Sequence, residues 1–117
     1  MIWIKGAAIV MFAAVALGAF GAHGLKLTPD QKTIYQTGVL YHLVHGLALL
    51  AVGWLATVKP GEASIKYAGF SFLIGILLFS GSLYLLSITG IKKFGMITPL
   101  GGLAFLAGWI FLFLAAE

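Results

Sequence analysis

The stretch IWIKGAAIVMFAAVALGAFGAHGL, residues 2–25, decides the fold. Lys5 and His23 are the interruptions in its apolar run. About 20 apolar residues cross a bilayer as a helix. A half-exposed strand would instead alternate polar and apolar residues with period two. Three further runs of the same kind follow, at residues 39–58, 67–89 and 96–116. None alternates, which excludes a membrane barrel as well. The expected fold is an all-α membrane protein: a four-transmembrane-helix bundle with short loops, one domain over residues 1–117.

Composition agrees. The chain is 62% hydrophobic and 9% charged, against about 25% charged residues in soluble domains. A chain this short keeps a large surface for its volume, so lipid must cover what a core cannot. The net charge is +4, and every basic residue is a lysine. The lysines sit in loops and at run ends, where headgroup contact explains them. Nucleic-acid binding needs a basic face or a recognised module, and neither is present. Cysteine is absent, which excludes disulfides, thiolate metal sites and cysteine nucleophiles. Lys5 before an apolar stretch has the outline of a signal peptide, but the run has membrane length, which favours a spanning helix.

The connections carry clear punctuation. In Thr28-Pro29-Asp30-Gln31, Thr28 suits an N-cap, Pro29 the first helical position, and Gln31 completes a capping box. Asp30 favours the positive end of the helix dipole. The second helix is therefore expected from Pro29 to Val58, about 45 Å long at 1.5 Å per residue. Its start would lie at the interface, bent at Gly38, with Tyr35 and Tyr41 at interfacial depth. Gly90 suits a C-terminal cap for the third helix. Thr98-Pro99 repeats the cap-and-proline start for the fourth. Four lysines beside loops one and three, against three on the other side, favour those loops as cytoplasmic and both termini outside.

Alternating helix direction gathers the unusual residues in one membrane half. These are His23 at the end of the first helix, Tyr41, His42 and His45 in the second, Ser80, Ser82 and Tyr84 in the third, and Thr98 opening the fourth. Polar groups in hydrocarbon are costly and turn inward, so these residues are a candidate polar pocket. His42 and His45 share a face at i,i+3. With His23 they form the candidate metal set, since three imidazoles bind zinc or copper and two ligate haem iron. The plainer reading gives each histidine an interhelical hydrogen bond and a packing role. Trp3, Trp54 and Trp109 read as interface anchors or packing.

Small residues mark expected close approach: Gly18, Gly21, Ala22 and Gly24 in the first helix, Gly81 in the third, Gly101 and Gly102 in the fourth. The ridge Ala14, Gly18, Ala22 would let His23 meet a partner in a dry setting. The equal spacing of Gly18, Gly21 and Gly24, with no strand before them, is not a nucleotide-binding fingerprint. No HExxH, GxSxG or spanning pair of carboxylates occurs, so no catalytic residue is named and no cofactor is expected.

Four motifs in order carry a resemblance: GAFGAHGL at 18–25, Tyr35-Gln36 followed by Tyr41-His42-xx-His45-Gly46, FSGSLY at 79–84, and ITPLGG at 97–102. Together they resemble the domain of unknown function 423 family, small four-helix membrane proteins related to transmembrane protein 256. The resemblance covers nearly the whole chain. It implies this fold and a bacterial inner-membrane location, and brings no catalytic residue or cofactor. The expected role is a noncatalytic scaffold or accessory subunit that contacts lipid and assembles with itself or other membrane proteins. The alternative is a protein that binds or transports a small molecule, metal or proton at the histidine-lined half.

Overall fold

Thr28 and Gln31 show how local chemistry places the helices. In a computed structural model, which describes residues 1–116, the Gln31 backbone N–H donates to Thr28 Oγ1 at 3.2 Å and the Thr28 N–H to Gln31 Oε1 at 3.0 Å. This capping box, with Pro29 next, satisfies donors that a helix start leaves open. Helix α1 is Ile2–His23, α2 is Pro29–Val58, α3 is Ala63–Thr89 and α4 is Thr98–Ala115. All four are long and apolar enough to cross a membrane. The chain is thus an all-α membrane protein. Its 46 Å long axis exceeds the roughly 30 Å hydrocarbon core, so the helix ends reach both interfaces.

Gly90 caps α3 in the left-handed region, φ 71°, as its position suggested. Thr98 does not cap α4. A short 3₁₀ turn, Lys92–Met96, leads into the helix, and the Leu100 N–H donates to the Ile97 carbonyl. The Thr98 hydroxyl is left to bond Ser82, 2.6 Å away on α3. Helix α2 is continuous through Gly38, where the missing side chain admits α3. Tyr84 and Leu83 lie 3.1 and 3.3 Å from where a Cβ would stand. Midway along α3, residues Ile76–Ser80 form one π turn, in which the Gly81 N–H reaches the Ile76 carbonyl. Nothing in the sequence signals that turn.

Helix α1 packs along α2, α2 against α3, and α3 against α4. The core lies where the last three meet, around Leu49, Val52, Ile65, Ala68, Phe72 and Phe105. The buried positions of α1 are Ala7, Ala14 and Gly21. A seven-residue repeat is the seam of a left-handed helix pair. It differs from the expected ridge: Ala22 is exposed, and a Cβ added at Gly18 would meet Val39 at an ordinary 3.4 Å.

At Gly21 the α1 backbone admits the Tyr35 ring of α2. A Cβ there would stand 2.1 Å from the Tyr35 ring. The ring cannot swing away freely, because its hydroxyl donates to the Leu17 carbonyl. Gly21→Ala is expected to cost about 1–2 kcal/mol by overpacking, and Tyr35→Phe about 0.6 kcal/mol. Equilibrium unfolding in mixed micelles checks both. A Gly21→Ala variant as stable as wild type would refute the seam.

Candidate functional site

The polar residues of one membrane half meet in pairs across helices. His42 Nδ1 lies 2.8 Å from the Tyr84 hydroxyl, joining α2 to α3. Ser80, fully buried, donates to the Gly38 carbonyl at 2.7 Å. Ser82 bonds Thr98, joining α3 to α4. Tyr35 and Tyr84 bring their rings to 5.2 Å beside His42. Such bonds average about 0.6 kcal/mol each within a bilayer, so their combined effect is to fix register. Among the described residues, every buried side-chain nitrogen and oxygen has a partner.

His45 has the most determined surroundings. Its Nδ1 lies 2.8 Å from the Tyr41 carbonyl, one helical turn earlier. A carbonyl only accepts, so Nδ1 carries the proton. Nε2 is then an acceptor, and the Trp109 indole N–H donates to it from α4 at 3.1 Å. The Phe105 ring stacks on the imidazole at 3.5 Å and 9°, with Phe72 at 5.6 Å on α3. Both ring nitrogens are occupied. A metal at His45 would have to displace the indole, because a ligating nitrogen needs a free lone pair.

His23 stands apart. It is exposed at the end of α1, and no group of three metal-ligating side chains forms among the described residues. The antiparallel turn after α1 carries His23 to the helix end, while His42 and His45 lie roughly three and a half to four and a half turns into α2. The dry partner of the GAFGAHGL segment is Tyr35, packed on Gly21, rather than His23. Tyr41 is partly exposed and lines an open groove of about 430 Å³ between α2 and α4, with His45, Phe79, Pro99 and Trp109.

Of the expected packing residues, Gly21 and Gly101 are buried at close contacts. Gly24 lies beyond the helix, facing its own Phe20. Gly81 and Gly102 have room, since a Cβ added at either would meet other side chains or turns no closer than 4.0 and 3.9 Å. Tyr35, expected at interfacial depth, and Trp109, expected as an interface anchor or as packing, are both site residues. One signal for Trp109 was available: it is the indole donor in a span whose facing helix carries an imidazole acceptor.

Comparison with known proteins also points to a membrane protein. The family described as Protein of unknown function (DUF423) matches residues 17–102. The chain is 50% identical over 111 residues to the UPF0382 membrane protein YwdK of Bacillus subtilis, covering 93% of this chain and 90% of that one. It is 40% identical to the UPF0382 membrane protein SH2409 of Staphylococcus haemolyticus, covering 96% and 91%. To a UPF0382 membrane protein of Haemophilus influenzae it is 46% identical, covering 85% and 80%. No solved structure matches.

Proposed function

The chain belongs to the DUF423 family of membrane proteins, and from that premise we propose that it is a noncatalytic scaffold or accessory subunit that assembles with itself or with other membrane proteins. Its bacterial relatives are named membrane proteins and it has four helices of spanning length, which supports the cytoplasmic membrane as its location. The observation that supports the scaffold reading is the pairing of the buried polar groups. A site that binds or turns over a ligand keeps donors and acceptors open for it. Here His42, Ser80, Ser82, Tyr84 and Trp109 bond to neighbouring helices instead.

A second reading has its own observation. The groove beside Tyr41 and His45 opens toward lipid and has the volume of a small-molecule site. One experiment tests the scaffold reading. Wild type and a His23→Ala, His42→Ala, His45→Ala variant are cross-linked in native membranes, and elemental mass spectrometry is run on the purified chains. The scaffold reading expects a discrete cross-linked complex and equal metal content in both. A wholly monomeric chain, or a stoichiometric metal lost in the variant, would overturn it.

A further inference from the structure

At the end of the molecule opposite the histidines, the start of α1, the end of α2 and the start of α3 enclose a cleft of about 560 Å³. Trp3 forms its floor. The indole rests on Gly69, whose missing side chain makes room, and meets Phe70 edge-on at 5.1 Å. Lys59, Lys66 and Glu62 bring the charges. The Lys59 ammonium donates to the Ala115 carbonyl at the end of α4, 2.9 Å away, which holds its position and leaves two N–H groups for another acceptor. Two ammonium groups against one carboxylate leave a single net positive charge. The cleft lies at the ends of three helices of membrane-spanning length, which puts it at the level of lipid headgroups, with Trp3 and Phe70 supplying its aromatic wall.

We infer that this cleft binds the headgroup of an anionic phospholipid, its phosphodiester on Lys59 and Lys66 and its glycerol and upper acyl chains against Trp3 and Phe70. The net charge of the cleft matches one phosphodiester, and the apolar floor suits a molecule whose other end is a lipid. Glu62 opposes the anion, so its removal should strengthen binding. Confinement of the charge effects to this end of the chain distinguishes a defined site from a general attraction of lysines to a negative surface.

The test is native mass spectrometry of the full chain in mild detergent, titrated with phosphatidylglycerol, phosphatidylcholine or inorganic phosphate. Phosphatidylglycerol should bind about five-fold or more tightly than phosphatidylcholine, since each lysine near the surface contributes roughly a five-fold factor. Lys66→Glu, at an exposed position, should remove the preference, and Glu62→Gln should raise it. Lys26→Ala with Lys32→Ala, at the other end, should leave it unchanged. Equal retention of the two lipids would overturn the proposal, as would an equal loss in the Lys26, Lys32 variant. Displacement of phosphatidylglycerol by millimolar inorganic phosphate would overturn the lipid as its occupant.

Discussion

Gly101→Ala should destabilise the chain by about 2–4 kcal/mol, while Gly102→Ala, one residue on, should change it by less than about 0.5 kcal/mol. At Gly101 an added Cβ would stand 2.2 Å from the backbone nitrogen of Phe79 and 2.7 Å from its Cα. The obstacle is the main chain of the π turn, so no rotamer change relieves it. Helices α3 and α4 would have to part along their seam. In lipid no hydrophobic term offsets that loss, because association rests on close contact. At Gly102 the nearest atoms are those of the Phe79 ring, 3.9 Å off. Unfolding of both variants by SDS titration in mixed micelles measures the difference. Equal shifts would mean that α4 does not sit on the π turn as described.

That neighbouring pair shows what a single sequence can and cannot disclose. Both residues read as small surfaces on α4. Which one meets backbone depends on the rotation of α4 and on the extra residue in the π turn, and neither leaves a compositional trace. Helix existence and several ends were legible because their causes are local, while α3 starts at Ala63, four residues before its expected span, and α1 ends at His23, two residues before its own. The apolar run lengths, the Thr28–Gln31 box and the left-handed Gly90 each act within a few residues. The expected cap at Thr98 failed for a nonlocal reason, the Ser82 hydroxyl across the helix gap. At the site, His42 and His45 stood out because imidazoles in hydrocarbon demand partners. Those partners, Tyr84 and Trp109, were fixed by helix register. His23 looked like a third member because it shares the membrane half, yet the end of α1 lies beyond the level of the other two.

The second large effect is expected at His45. His45→Ala removes the ring between Phe105 and Phe72 and leaves the Trp109 N–H without its acceptor. Opening a cavity among aromatic rings and orphaning a donor together should cost about 2–3 kcal/mol, less than a soluble core would show, since hydrocarbon replaces water outside. His45→Phe keeps the stack and loses only the hydrogen bonds, so it should cost about 0.6–1.7 kcal/mol. A double-mutant cycle with Trp109→Phe should return a coupling of that same size. The ordering of the two variants carries the argument. If His45 is a register-setting residue, Phe recovers most of what Ala loses, in unfolding midpoint and in cross-linked assembly alike. If His45 serves a ligand, Phe is as inactive as Ala in any binding signal while still restoring stability. The first pattern would leave the groove beside Tyr41 as a lipid-filled furrow. The second would make it a site, with the Trp109 indole as the group that a ligand must displace.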